Sequence, residues 1–265
     1  MSGARADLVV SDIAIVFVDA DNTLWDTNAV YAEAQLAMLT AVEQCVGRLL
    51  LVQDRLDWLR AIDQALAERH HAGLRYPPRL LAQATALALT GHKASTAARL
   101  AWAGGPEGTR MTEDDARRIE KHFLQDIRTK PSLRHGVRRG LDRLKSAGCK
   151  MFVLTEGSRS KALALLEHHN LAGLVDRVIE ARKEIRLFER VLSLTKNPSL
   201  AFMIGDQLDR DIQPAQRAGL TTVFFPGGFQ PKWHPPESEG APDYKVRNFD
   251  EAASIIVELV SRVRA

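Results

Sequence analysis

Two aspartates one residue apart, Asp19 and Asp21, are the residues of this chain whose type and spacing point most directly to chemistry. They end the apolar run Ile15-Val16-Phe17-Val18, and Asn22 and Thr23 follow. Such a run predicts a buried strand of a parallel sheet, and ligands of open α/β sheets bind at the carboxyl ends of strands. Two carboxylates there repel each other unless a cation or a proton intervenes. The pair therefore predicts a reactive site, and the alternative is a solvated turn.

Three later segments carry polar residues beside apolar stretches. The run Phe152-Val153-Leu154 ends in Thr155-Glu156-Gly157, and a basic pair, Arg182 and Lys183, precedes the apolar helix around Phe188. The run Met203-Ile204-Gly205-Asp206 is followed by Asp211 and then by Gln216-Arg217-Ala218-Gly219. Each segment adds a carboxylate, hydroxyl or ammonium group to the candidate site residues.

The elements that would position these groups fall in two regions. From about residue 27 to 130, apolar residues recur at three- and four-residue spacing, which predicts amphipathic helices and no strand. After Pro131, strands and helices alternate with short connections, which predicts a parallel, doubly wound α/β sheet with all strand carboxyl ends at one edge. The predicted helices are 32–51, 55–69, 79–89, 113–127, 137–147, 161–169, 188–194, 212–218 and 250–263, and the predicted later strands are 150–155, 175–179, 201–206 and 221–225. We expect a core of residues 1–26 and 131–265 with a helical insertion, residues 27–130.

Composition narrows the class of protein. The 265 residues carry a net charge of +3 with acidic and basic residues interspersed, which is typical of solvated surfaces and predicts no nucleic-acid partner. No apolar run approaches the ~20 residues that span a bilayer, so no membrane partner is expected. The two cysteines make no disulfide framework, which favours the cytoplasm. The oligomeric state stays open.

In order and spacing, these segments resemble the haloacid dehalogenase-like hydrolase superfamily, whose first strand ends in Asp-x-Asp-x-Thr. The stretch from Gly205 to Asp211 is similar to its Gly-Asp-x-x-x-x-Asp segment, and His135-Gly136-Val137 stands where Pro-Gly-Val is common. The resemblance covers about residues 12–26 and 131–260. It implies a Rossmann-like core, with the helical insertion acting as a cap that closes over the strand ends and selects substrate.

The resemblance also implies roles in a Mg²⁺-dependent hydrolysis of small phosphorylated metabolites. Asp19 would be the nucleophile that forms an aspartyl-phosphate, and Asp21 the general acid and base. Thr155, Glu156, Gly157 and Lys183 would face the substrate phosphate, with Thr155 and Lys183 aiding catalysis. Mg²⁺ would be held by Asp19, the Asp21 carbonyl and Asp206, with Asp211 outside the ligand shell.

Two departures from the family pattern bear on the predicted site residues. Glu156 stands where Asn is frequent, so it either points away from the phosphate or contacts a cationic group of the substrate. Glu184 stands where Pro often follows the lysine, which leaves open whether Arg182 or Lys183 faces the site. Family members that dehalogenate carbon substrates lack the acidic residue at Asp21, because a halide leaves without a proton. Asp21 therefore favours phosphoryl transfer.

Other functions fit the same motifs. A phosphomutase or phosphotransferase would use the same site with a sugar hydroxyl in place of water, and a binding-only member of the family would perform no reaction. A receiver-type phosphoacceptor also has a doubly wound sheet, but it is about half this length and lacks an insertion. Within the insertion, the candidates for substrate contact are His70, His71, Arg75, Tyr76, Arg79, His92 and Trp102.

Overall fold

The computed structural model describes residues 13–68, 76–104, 108–195, 198, 200–229 and 240–264. The chain divides into two compact units by its internal contacts. One unit comprises Met1–Thr27 with Ser132–Ala265, and the other comprises Asn28–Pro131. His70, His71 and Arg75 lie outside the described residues.

The first unit is built on a parallel sheet, which confirms the predicted α/β class. Among the described residues, its strands follow the order β3-β2-β1-β4-β5-β6. The strands are β1 (Ile15–Asp19), β2 (Lys150–Thr155), β3 (Arg177–Glu180), β4 (Ala201–Gly205), β5 (Thr221–Phe224) and β6 (Tyr244–Lys245). The sequence did not predict β6, because a two-residue strand is too short to show a period.

Strand β1 lies at the centre of this sheet, and all of its residues are buried. It pairs in parallel with β2, where Asp19 is opposite Leu154, and with β4, where Val18 is opposite Ile204. Thr155 and Asp206 therefore lie close beyond the carboxyl end of β1. The chain moves outward from β1 in both directions, which makes this edge the switch point where ligands bind in such sheets.

The side chains of β1 pack on both faces of the sheet, since successive side chains of a strand point to opposite sides. Val16 and Val18 join one apolar cluster that includes Phe249, whereas Phe17 joins the other, where its ring meets that of Phe188 edge-on at 5.5 Å. The helices of this unit are α6 (Val137–Ser146), α7 (Arg159–His168), α8 (Ile185–Leu194), α9 (Gln213–Arg217) and α10 (Phe249–Arg264), and a π-helical turn spans Leu208–Ile212.

The second unit is helical throughout its described residues and has its own apolar core. Its helices are α1 (Thr27–Val46), α2 (Arg55–Ala67), α3 (Pro78–Leu89), α4 (Ala94–Ala103) and α5 (Glu113–Asp126). Helix α1 ends earlier than predicted because Gly47 takes a left-handed φ of 72°. Helix α4 was missed, since its buried face consists of alanines, which give a weak period. Among the described helices, none has the length and apolar character that crossing a membrane requires.

The contact between α6 and α10 depends on a glycine. A Cβ added at Gly140 would lie 2.6 Å from the ring of Phe249 and 3.0 Å from its carbonyl oxygen. We expect Gly140→Ala to lower the free energy of unfolding by roughly 1–3 kcal/mol through overpacking, measured by urea denaturation. The matched control is Gly173→Ala, where nothing lies within 4 Å of the added Cβ. Equal urea midpoints for the two variants would contradict this account.

Candidate active site

The predicted site residues follow the carboxyl ends of neighbouring strands. Asp19 is the last residue of β1, Thr155 the last of β2, and Asp206 comes directly after β4. Lys183 lies in the loop after β3, and Asp211 lies in the π-helical turn after β4. The parallel register brings these residues to one edge of the sheet.

Three buried carboxylates form a cluster at this edge. Asp19, Asp206 and Asp211 are only 6%, 3% and 0% exposed, and one oxygen of each lies within 4.8 Å of the others. Oδ1 of Asp206 is buried and has no hydrogen-bond partner in the part of the chain that the structure describes. Such an oxygen is costly to bury, so its environment favours a ligand with positive charge.

Lys183 is the cation that the described residues place among these carboxylates. Its Nζ donates to Oδ1 of Asp19 and to Oδ1 of Asp211, the latter at 2.6 Å. Burial alone would lower the pKa of Lys183, but the charges of Asp19 and Asp211 outweigh burial and raise it. Arg182, by contrast, points outward and pairs only loosely with Glu184, at 3.7 Å.

The carboxyl groups carry more negative charge than Lys183 balances. Burial raises the pKa of Asp19 to about 7, although Lys183 opposes the shift. Burial, followed by the charges of Asp19 and Asp211, raises the pKa of Asp206 to about 9. Both shifts arise first from burial and are increased by the neighbouring carboxylates, and a divalent cation, with its preference for oxygen ligands, would offset them. The donor set and the unpaired oxygen of Asp206 therefore fit such a cation.

Asp211 reaches Lys183 because Gly205 leaves room for it. A Cβ at Gly205 would lie 2.3 Å from the Cβ of Asp211, which is a severe overlap. The other carboxylate oxygen of Asp211 accepts a hydrogen bond from the Gln207 N–H at 2.9 Å. The glycine that precedes Asp206 is thus a space requirement of the site.

Asp21 lies in a tight turn after β1, where Asn22 has a left-handed φ of 61°. Its Oδ1 accepts hydrogen bonds from Trp25 Nε1 at 3.0 Å and Thr27 Oγ1 at 2.7 Å. Its Oδ2 lies beside Gly157, where an added Cβ would be 3.7 Å away. The turn therefore fixes the carboxylate of Asp21, an exposed residue, next to the turn that follows β2.

The turn after β2 holds the remaining predicted residues. Thr155 is 3% exposed, and its Oγ1 accepts a hydrogen bond from the Gly157 N–H at 3.0 Å. Glu156 turns its carboxylate to protein groups: one oxygen accepts from the Lys183 N–H at 3.3 Å, and the other pairs with Arg210 at 2.9 Å. The sequence analysis did not identify Arg210, although it stands directly before Asp211.

Arg134 is a second residue that the sequence analysis missed. Its guanidinium donates to the carbonyl oxygens of Asn22, Phe225 and Pro226, and its central carbon lies 3.5 Å from the centre of the Phe225 ring. Burial lowers the pKa of Arg134, an effect that the charge of Asp206 opposes first. Arg134 thus ties the turn of Asp21 to the segment after β5. Arg134 directly precedes His135-Gly136-Val137, and this position is the sequence signal that could have identified it.

The candidates in the helical unit make contacts within that unit. Tyr76 donates its hydroxyl to Asp63, and Arg79 pairs with Glu120 at 3.5 Å. Burial raises the pKa of Asp63 to about 6. His92 and Trp102 are exposed at their positions. A role of these side chains in contacting substrate stays a prediction.

Comparison with known proteins agrees with the resemblance drawn from the motifs. A family model described as haloacid dehalogenase-like hydrolase matches residues 13–219. A glyceraldehyde 3-phosphate phosphatase of Methanopyrus kandleri is 28% identical over 126 residues, which are 45% of this chain and 54% of that protein. The chain therefore spans about half the length of this curated relative.

Two solved structures share the fold. A haloacid dehalogenase-like family hydrolase from Xanthomonas campestris is 20% identical with a TM-score of 0.60, over 94% of this chain and 97% of the other. A Bacillus subtilis protein described as the HAD-hydrolase YfnB, bound to magnesium, is 19% identical with a TM-score of 0.59, over 92% and 98% of the two chains. At this level of sequence identity, the two matches show the fold alone.

The raised pKa values of Asp19 and Asp206 predict how their contribution to stability changes with pH. Asp19 and Asp206 have an ordinary pKa of 3.8 and native values of about 7 and about 9, so the folded state binds more protons than the unfolded state between these limits. In the metal-free protein these two carboxyl groups therefore contribute less to stability as the pH rises from about 4 to about 9. A divalent cation should raise the melting temperature more at pH 8 than at pH 5.

Asp206→Asn tests the same charge deficit by thermal denaturation. The variant should melt higher than wild type in chelator at pH 8, at roughly 2–4 °C per kcal/mol of relieved repulsion, and should lose most of the cation-induced shift. Asp142→Asn, an exposed aspartate on α6, is the matched control. A wild-type cation shift in Asp206→Asn would remove Asp206 from the cation site.

Proposed function

The chain belongs to the haloacid dehalogenase-like hydrolases, and we propose that it is a Mg²⁺-dependent phosphatase of small phosphomonoesters. One observation carries the proposal: Asp19, at the end of the central strand, is buried with Asp206 and Asp211 around Lys183, and Asp21 lies two residues further on. A carboxylate nucleophile and a second carboxylate for proton transfer are the groups that phosphomonoester hydrolysis through a covalent intermediate requires.

A phosphate monoester is an anion, and a carboxylate can attack it only if charge is neutralised. Mg²⁺ held by Asp19, Asp206 and the backbone carbonyl of Asp21 would supply that neutralisation. Lys183 adds a fixed positive charge at Asp19, and Asp211 holds the ammonium group there at 2.6 Å. Because phosphoryl transfer depends mostly on positioning and electrostatics, these contacts are the core of the mechanism.

The reaction then runs in two steps. A carboxylate oxygen of Asp19 forms a bond to phosphorus while the bond to the ester oxygen breaks, and Asp21 gives its proton to that leaving oxygen. Water next attacks the aspartyl-phosphate, Asp21 takes a proton from it, and inorganic phosphate leaves with Asp19 restored. The hydrogen bonds from Trp25 and Thr27 hold Asp21 in place for both transfers.

The turn after β2 is arranged to bind the phosphoryl group. Since the Thr155 hydroxyl oxygen accepts the Gly157 N–H, its own hydrogen is left to donate to a phosphoryl oxygen. Gly157 also keeps the space beside Asp21 free of a side chain, where the leaving group must enter. Thr155 and Gly157 thus contact substrate, whereas Lys183 supplies positive charge at Asp19.

The substrate class follows from the relative and from the insertion. The Methanopyrus kandleri relative is named for a three-carbon phosphate ester, and we infer a small phosphorylated metabolite for this chain as well. Residues 27–130 act as the lid that selects it, and residues 1–26 and 131–265 form the catalytic core. Cys45 and Cys149 are both free thiols, which fits a cytoplasmic enzyme.

Release of inorganic phosphate from a panel of small phosphomonoesters tests the function. Wild type should turn over at least one ester with Mg²⁺ and none with chelator, and Asp19→Asn should lose activity by at least about 10³-fold because the nucleophile is gone. Asp142→Asn is the control for a lost surface carboxylate. Near wild-type turnover by Asp19→Asn would refute the nucleophile, and phosphorylated products without free phosphate would favour a mutase.

Asp21→Asn separates the two steps through the leaving group. The phenolate of an aryl phosphate leaves without a proton, so the first step should persist, while loss of the base should stall the second step. We expect a burst of one phenol per enzyme followed by slow turnover, and a loss of roughly 10²–10⁴-fold on an alkyl phosphate. Equal losses on both esters without a burst would contradict the role of Asp21.

A further inference from the structure

Two of the positions at which this chain departs from its family are next to Lys183: Glu156 contacts its backbone, and Glu184 follows it in the chain. Glu156 follows β2, yet its carboxylate reaches the loop after β3 and accepts the backbone N–H of Lys183 at 3.3 Å. We propose that Glu156 is a positioning residue, which fixes the loop that carries Lys183, and that Arg210 holds Glu156 in place. This role rests on the proposed function for its effect on catalysis.

The loop needs such a restraint because Lys183 must place one ammonium group between two carboxylates. A lysine side chain loses much rotamer freedom when it is ordered, and the loss is smaller when its backbone is already fixed. The backbone hydrogen bonds near Lys183 are those of Ala181 N–H to Thr155 O and of Glu184 N–H to Arg182 O, both at 3.0 Å. The bond to Glu156 is the one made by the N–H of Lys183 itself.

A proline after the lysine could not provide this restraint in the observed backbone. Glu184 has a φ of −112°, and its N–H is hydrogen-bonded to Arg182. Proline holds φ near about −65° and has no N–H, so it would lose that bond and strain the turn. The chain therefore restrains the loop through the N–H of residue 183, where its relatives often restrain residue 184.

Arg210 completes the arrangement from the opposite side. Its guanidinium pairs with the second oxygen of Glu156 at 2.9 Å, and its chain neighbour Asp211 contacts the ammonium group of Lys183. The π-helical turn that carries both residues thus holds Lys183 at its two ends: Asp211 acts on Nζ, and Arg210 acts on the backbone through Glu156. Both Glu156 oxygens are engaged by protein groups, which distinguishes this role from contact with substrate.

Substitutions of Glu156, Arg210 and Glu184 test the proposal with two readouts. Glu156→Ala removes both contacts, Arg210→Gln removes only the ion pair, and Glu184→Gln is the matched control that removes a neighbouring exposed carboxylate. For Glu156→Ala we expect kcat to fall on the order of tenfold to a hundredfold with KM within about twofold of wild type. The smaller change in Arg210→Gln should lower kcat less, and Glu184→Gln should match wild type.

The second readout is amide hydrogen exchange in the peptide that contains residues 181–184, which requires no turnover. Exchange should be faster in Glu156→Ala than in wild type and unchanged in Glu184→Gln. Glu156→Gln, which keeps an oxygen to accept the Lys183 N–H, should restore part of both the protection and kcat.

Three outcomes would overturn the proposal. Unchanged exchange in Glu156→Ala would show that Glu156 does not hold the loop. A raised KM at constant kcat would make Glu156 a substrate contact, and a wild-type kcat with faster exchange would make the restraint irrelevant to catalysis. If wild type itself turns over no ester, the phosphatase proposal fails, and the exchange result alone decides whether Glu156 positions Lys183.

Discussion

The structure of the core depends on the repulsion among three buried carboxylates that share one ammonium group. Asp19, Asp206 and Asp211 are nearly inaccessible to water, and the raised pKa values of Asp19 and Asp206 express the cost of that burial. Among the described residues, Lys183 contacts the cluster and offsets part of that cost, and the charge of Arg134 also acts to lower the pKa of Asp206. A site so short of positive charge favours the binding of a cation.

The sheet is the means by which this unfavourable cluster is assembled. Strand β1 is buried throughout, and its four apolar residues pack on both faces of the sheet. Parallel pairing then brings the ends of β2 and β4 beside Asp19, and Gly205 leaves the space in which Asp211 lies. Apolar burial in the strands thus stabilises a polar arrangement that would not form by itself.

The sequence predicted the parts of this arrangement that are local. Apolar strands followed by Asp19, Thr155 and Asp206 were found because a strand and the residue after it are adjacent in the chain. The contacts of Arg134 with Phe225 and of Glu156 with Lys183 join residues far apart in sequence, and no local period encodes them. The sequence also did not predict β6 and α4, because β6 is too short and α4 is too rich in alanine to show a period.

The order of the strands in the chain has a consequence for synthesis on the ribosome. Strand β1 is made first, but its partners β2 and β4 begin only at Lys150 and Ala201. The helical unit of Asn28–Pro131 has its own apolar core and is translated in the interval. During that time β1 is an apolar strand with two unpaired edges, which is the kind of segment that recruits chaperones or aggregates. The central strand of the core therefore stays without the partners that cover its edges until β2 and β4 have been made.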